Sequence, residues 1–270
     1  MKIILDSEEL KKELRNNHNL GFVPTMGSIH KGHEYLIMKC RKECKKTLIS
    51  IFINPTQFNN IKDLKNYPQN IKKDLSILKK LKVDYVFLPN VKDIYAFKRK
   101  EKIRLNKRDL VLCARYRRGH FVGVLDVMDR LTKLISPNKI YMGEKDFQQY
   151  YFVKKFLEHK YKTKVIKCNT IRSFNMVALS SRNLLLDQKN ILKAGRIIKE
   201  LIRLKKVIPK NTKINQYLLY KKKDLVKKYK IKIEYLELRS VKDLKKSNTF
   251  KNSKIFIAYY LNKIRLIDNL

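Results

Sequence analysis

A chain of 270 residues, 44% apolar and 33% charged, is long enough for one large domain or two unequal ones. No run approaches the roughly 20 apolar residues of a membrane-spanning helix. The net charge of +40 invites a nucleic-acid partner, but 49 of the 64 basic residues are lysines spread through every segment, with no RNP-like aromatic pattern and no zinc-finger spacing; neither nucleic acid nor membrane is expected as a partner.

The N-terminal "MKIILDSEELKKEL" is a short apolar patch followed at once by charges, which is no signal peptide, so a cytoplasmic location is the expectation. "LGFVPT" reads as a buried strand ending at Pro24. A helix follows from near Gly32 to about Lys46, with Leu36, Ile37, Cys40 and Cys44 on one face. "TLISIFIN" is a second strand, closed by Asn54-Pro55. "IKKDLSILKKLK" carries Ile71, Leu75, Leu78 and Leu81 at helical spacing, and "VDYVFLP" is a third strand. This β-α-β-α-β order predicts an α/β fold with a Rossmann-like, doubly wound parallel sheet. A helix over "GVLDVMDRLTKLI", a strand "KIYM", a helix "DFQQYYFVKKFLEH" and a strand "KVIKCN" continue it. After "SSRNLLL" lysine-dense helices precede three strand-like runs, which predicts a smaller α+β C-terminal domain; the boundary is set at 175/176, within a transition near 175 to 183. Cys40, Cys44, Cys113 and Cys168 form no CxxC pair and read as reduced packing thiols.

Ligands of open parallel sheets bind beyond the carboxyl ends of the strands, here "PTMGSIHKGH", "NPTQF" and "GEKD". His30 and His33 stand three apart where a strand hands over to a helix. Unsatisfied N–H groups at a helix N-terminus favour anions, and Gly27 and Gly32 let a phosphate chain approach the backbone. Two imidazoles there can donate to phosphate oxygens and offset charge on a leaving group. Ordinary loop histidines fit the spacing too. A metal site needs a third ligand, and no other histidine lies near in sequence, so none is expected.

"VPTMGSIHKGH", "SIFINPTQF", "RRGHFVGV", "YMGEKDFQQ" and "ALSSRN", in this order, resemble the pantothenate synthetase (pantoate–β-alanine ligase) family of the HIGH-motif nucleotidylyl transferases. The resemblance runs from about Leu20 to Leu186 and resumes at "RLIDN". It implies an enzyme that condenses (R)-pantoate with β-alanine using ATP, with Mg²⁺ on the phosphates, through pantoyl adenylate, releasing AMP and pyrophosphate. It also implies a homodimer and a C-terminal lid. By the same resemblance Met26, Gly27, Ser28, Ile29, His30, Lys31, Gly32 and His33 bind ATP, with His33 as proton donor and His30 assisting it. Gly143, Glu144, Lys145 and Asp146 hold the nucleotide, Lys145 neutralising phosphate charge. Ile171 lines the adenine or ribose side, and Leu179, Ser180, Ser181 and Arg182 close over the triphosphate. Gln57 and Gln149 contact pantoate.

Other roles fit some of these residues as well. Asp146 suits a helix N-cap, and Ser180 and Ser181 suit turn positions. His120 reads as structural, since nothing in its spacing assigns it a proton to move, and His18 and His159 receive no role. The chain departs from the family pattern at Arg118 (usually Pro), Gln69 (usually Arg) and Asn59 (commonly Gly), which bears on loop rigidity. Another nucleotidylyl transferase, or a basic nucleic-acid-binding protein with decayed motifs, are the competing readings.

Overall fold

The computed structural model describes residues 1–15, 17–97, 101–208 and 213–270. Contacts divide the chain into two compact units, one of residues 1–106 and 117–170, the other of 107–116 and 171–270.

The first unit comprises β1 (Lys2–Ile4), α1 (Ser7–Leu14), β2 (Leu20–Thr25), α2 (Lys31–Glu43), β3 (Lys46–Ile51), α3 (Ile61–Lys65), α4 (Ile71–Lys80), β4 (Tyr85–Phe87) and α5 (Val91–Tyr95). After α6 (Cys113–Tyr116), which belongs to the second unit, it resumes with α7 (His120–Ile135), β5 (Lys139–Gly143), α8 (Phe147–Lys160) and β6 (Lys164–Cys168). The six strands are parallel, in the order β1-β4-β3-β2-β5-β6. The apolar stripe of α2 (Leu36, Ile37, Cys40) packs on Val23, Ile49, Val86 and Tyr141 of the sheet. This is the doubly wound sheet that the alternating periodicity predicts.

Three local readings change. Helix α2 ends at Glu43 rather than near Lys46, because Cys44 is already extended (φ −128°, ψ 148°) and Lys46 starts β3. Strand β1 was not expected: the apolar patch "KII" pairs with β4 at the sheet edge and buries Ile4 completely. Strand β2 continues through Pro24 to Thr25. The Thr25 carbonyl accepts from the Phe52 N–H on the β3 side, so by strand alternation Pro24 faces β5, whose pairing with β2 stops at Phe22. A residue with no N–H thus sits where no ladder partner is required, and the two central strands part there.

The second unit holds α9 (Gln188–Val207), α10 (Ile214–Tyr229) and an antiparallel sheet of β7 (Lys232–Ser240), β8 (Ser253–Leu261) and β9 (Ile264–Asn269). Its core joins Ile197 and Leu201 of α9, Leu218 and Leu225 of α10, and Ile255 and Ile257 of β8. This is the smaller α+β element of the predicted fold class. The four cysteines are free and buried, and burial pushes the Cys40 thiol up to about 12, as suits packing groups.

Candidate active site

Strand order reverses at β2, which lies between β3 and β5, and ligands of open α/β sheets bind at such a point beyond the strand ends. The β2 end leads into Met26–His30 and the β5 end into Gly143–Asp146, so the fold brings together two of the three loops singled out in the sequence.

The first loop is a tight turn. Gly27 has φ +82° and Ser28 φ +53°, a left-handed pair that suits glycine at its first position. The Thr25 hydroxyl donates to the Ser50 carbonyl and accepts from the Gly27 N–H, at 2.8 and 3.1 Å. The next two N–H groups, of Ser28 and Ile29, donate to the carboxylate of Asp74 on α4. Ile29 turns its side chain into the apolar core. His30 is the N-cap of α2, its Nδ1 accepting from the Gly32 N–H at 3.1 Å. That acceptor role fixes the ring as the Nε2–H tautomer. The N–H groups of Gly27, Ser28 and Ile29 in the loop, and that of Gly32 in the first turn of α2, are thus engaged within the protein.

The rings of His30 and His33 stack, with centroids 4.0 Å apart and planes at 25°. Both are half-buried residues, and the Nδ1 of His33 is enclosed with no hydrogen-bond partner among the described residues. Burial first, then the nearby Lys145 charge, lowers His30 to about 4, against smaller opposing effects of Asp146 and Glu34. Burial, then His30, then Lys145 lowers His33 to about 3. Near neutral pH both rings are therefore uncharged N–H donors, and Lys145 is close enough to act on both.

Since both folded values lie below the ordinary histidine value near 6.5, the unfolded chain binds more protons in between. Stability is full above about pH 6.5 and falls as pH drops. Between pH 6.5 and 5, above the ordinary carboxylate range, each ring is expected to remove at most about 1.4 kcal/mol per pH unit. Denaturant unfolding of the protein and of His33→Gln across this window checks it: the variant should have the shallower slope, and equal slopes refute the assignment.

The "NPTQ" loop forms a 3₁₀ turn (Pro55–Gln57) capped by Asn54. Gln57 is buried; its Nε2 donates to the Met26 sulfur at 2.8 Å and its Oε1 accepts from Asn54 at 3.3 Å, which links this loop to the first. His120 holds it from α7. Arg117 can only donate to the His120 Nε2 (2.9 Å), so Nδ1 carries the proton and donates to the Gln57 carbonyl at 2.7 Å. That geometry supplies the structural role expected of His120. Gly123 lets α7 approach: a Cβ there would lie 2.4 Å from the Thr56 carbonyl oxygen. Two departures from the family pattern meet here, because the Asn59 side chain donates to the Arg118 carbonyl. This tie braces the loop where the usual glycine and proline are absent.

At the β5 end, Glu144 pairs with Lys167 of β6 at 2.6 Å. Asp146 occupies the N-cap position of α8 without a side-chain capping bond and lies 3.6 Å from the Lys145 ammonium. Gln149 is in the first turn of α8, and Lys31 is exposed and pairs with Glu34. In the second unit, the Leu179 N–H donates to the Ile171 carbonyl, and the Ser180 hydroxyl caps the 3₁₀ turn Ser181–Leu185 by accepting from the Arg182 N–H. Ser180 therefore acts as a turn residue, and Ser181 is buried. The residues that sequence reasoning missed are Asp74 and Asn54; the signal for the first is a carboxylate on the same helix face as Ile71, Leu75, Leu78 and Leu81.

A family model described as pantoate-beta-alanine ligase matches residues 2–270. A pantothenate synthetase of Pseudothermotoga lettingae is 36% identical over 282 residues, covering 100% of this chain and 98% of its own length. One of Flavobacterium psychrophilum is 36% identical over 267 residues, covering 97% and 94%. Among solved structures, a pantothenate synthetase of Thermus thermophilus aligns with a TM-score of 0.92 at 28% identity, over 100% of this chain and 99% of that one. Pantoate-beta-alanine ligase of Francisella tularensis, complexed with beta-gamma ATP and β-alanine, aligns with a TM-score of 0.85 at 33% identity, over 100% and 97%.

Proposed function

The chain belongs to the pantoate-beta-alanine ligase family, and from that premise we propose that it condenses (R)-pantoate with β-alanine in two steps. In the first, a pantoate carboxylate oxygen attacks the α-phosphorus of ATP; the bond to the bridging oxygen breaks and pyrophosphate leaves, giving pantoyl adenylate. In the second, the neutral amine of β-alanine attacks the acyl carbon. The bond to the phosphate oxygen breaks, AMP leaves, the amine loses its proton and pantothenate forms. Activation is needed because a free carboxylate is a poor acyl donor, and no bond to the enzyme is required, so catalysis rests on positioning and charge stabilisation.

The observation that carries this reading is the stacked His30–His33 pair beside Lys145 at the switch point of the sheet. Uncharged imidazole N–H groups and one ammonium suit a leaving pyrophosphate that must be held and later released. His33 donates to the developing charge, His30 supports its ring, and Lys145 neutralises the phosphates. Gln57 and Gln149 hold the hydroxy acid, since amides both donate and accept. The family resemblance assigns nucleotide contacts to Ile171, Leu179, Ser180, Ser181 and Arg182 as well.

Mg²⁺ is assigned to the nucleotide's own phosphates. Among the described residues no group of three or more His, Cys, Asp or Glu is placed to hold a metal, and imidazoles and a lysine are not the hard oxygen donors that Mg²⁺ takes. No helix of the described residues is long and apolar enough to cross a membrane. We assign the enzyme to the cytoplasm, as a homodimer.

Isotope exchange between ATP and pyrophosphate tests the first half-reaction. Exchange is expected with pantoate present and absent without it. No pantoate-dependent exchange overturns the proposal, and exchange that depends on a different acceptor favours another nucleotidylyl transferase.

A further inference from the structure

We propose that Asp74 is a positioning residue for this site: its buried carboxylate is a built-in anion that shapes the Gly27–Ile29 turn and so sets the His30–His33 stack. The consequence for catalysis rests on the proposed reaction; the geometric part does not.

Asp74 is 1% exposed although it lies in the first turn of α4, while Ile71 in the same turn is 41% exposed. A carboxylate removed from water is costly unless its lone pairs are met. Among the described residues Asp74 has no ion pair, and it is met instead by two consecutive backbone donors, Ser28 N–H to Oδ2 at 2.8 Å and Ile29 N–H to Oδ1 at 2.7 Å. Successive N–H groups of a turn form an anion-binding concavity, and bonds to a charged acceptor are about twice as strong as neutral ones.

The turn needs such support. Ser28 at φ +53° holds a left-handed conformation that L residues adopt only at a steric cost. A Cβ at Gly27 would lie 3.0 Å from Asp74 Oδ2, so carboxylate and turn fit closely. One residue beyond this turn His30 caps α2, and three residues later His33 meets its ring. Asp74 therefore occupies the loop's anion concavity from inside the protein and leaves the incoming triphosphate to the imidazoles and Lys145.

The test compares Asp74→Asn and Asp74→Ala with the unsubstituted protein. Asn keeps the shape but turns an NH₂ toward one of the two backbone N–H groups. Asp74→Asn is expected to lower kcat/KM for ATP about 10- to 100-fold, the scale of a misplacement of about 1 Å, with KM for β-alanine within about twofold. Formate, which can refill the carboxylate site, is expected to restore Asp74→Ala several-fold, and formamide, its neutral analogue, is not. In nitrogen-15 spectra of the imidazoles, Asp74→Asn is expected to raise the titration midpoints of His30 and His33 toward 6.5 as the stack opens. Unchanged kcat/KM and unchanged midpoints overturn the proposal, as does a loss shared by all substrates that formate does not reverse. If the unsubstituted protein catalyses no exchange, the reaction is refuted, and the imidazole spectra alone decide the role of Asp74.

Discussion

Replacing His33 with alanine is expected to lower pantoate-dependent exchange about 10²- to 10³-fold, the range for losing a proton-transfer group or a preorganised donor to developing charge. The structure divides the work between the two rings. His30 has its Nδ1 committed to the Gly32 N–H, so protonating that nitrogen costs the helix its cap. His33 has an enclosed Nδ1 without a partner among the described residues and the more strongly lowered value, about 3. It is uncharged at neutral pH, and phosphate charge arriving beside it favours the imidazolium. His30→Ala is expected to lose less exchange but about 1 kcal/mol of stability, as for a removed N-cap. Side-by-side exchange rates and denaturant unfolding of the two variants check this. Full activity in His33→Ala refutes its role, and a larger loss in His30→Ala reverses the division.

Asp268→Ala is expected to destabilise the second unit by about 3–5 kcal/mol, the cost of leaving one member of a buried ion pair uncompensated. Arg172 grips Asp268 with both terminal nitrogens, at 2.7 and 2.8 Å, and Asp268 is 5% exposed. The same guanidinium donates to the Met176 and Asn269 carbonyls. It thereby ties the C-terminal strand to the arm whose bridge, Arg172 to Ala178, leads into Leu179–Arg182. Asp268→Asn keeps part of the hydrogen bonding and should lose less, while Arg172→Met with Asp268→Leu should recover most of the loss. Denaturant midpoints read all three. A wild-type midpoint for Asp268→Ala refutes the account. This pair also gives "RLIDN" a physical reason to stand out in a C-terminal region otherwise rich in interchangeable lysines.

Much of the fold was legible because it is written in short-range patterns. Short apolar stretches marked β2, β3, β5 and β6, and the face of Leu36, Ile37 and Cys40 marked α2. Strand β1 escaped because three residues carry no readable period, and only pairing with β4, more than eighty residues away, makes them a strand. The candidate site was proposed from its motifs, and the closeness of the two imidazoles was legible through their spacing, since residues three apart are neighbours at the start of a helix.

The sequence by itself determined the alternation of strand and helix, and it placed His30 and His33 together at the start of α2. It did not determine what either ring can do. The His30 tautomer is local, set by the Gly32 N–H, but charge and exposure were decided by groups that arrive from elsewhere in the chain: Lys145 from the end of β5, and Asp74, which shapes the loop, from α4. The reason is one of range. Periodicity and capping depend on neighbours within a turn or two, whereas desolvation and Coulomb interaction depend on whatever the fold brings within a few ångströms. "HKGH" specified the pair, and only the assembled sheet made it an uncharged, stacked one.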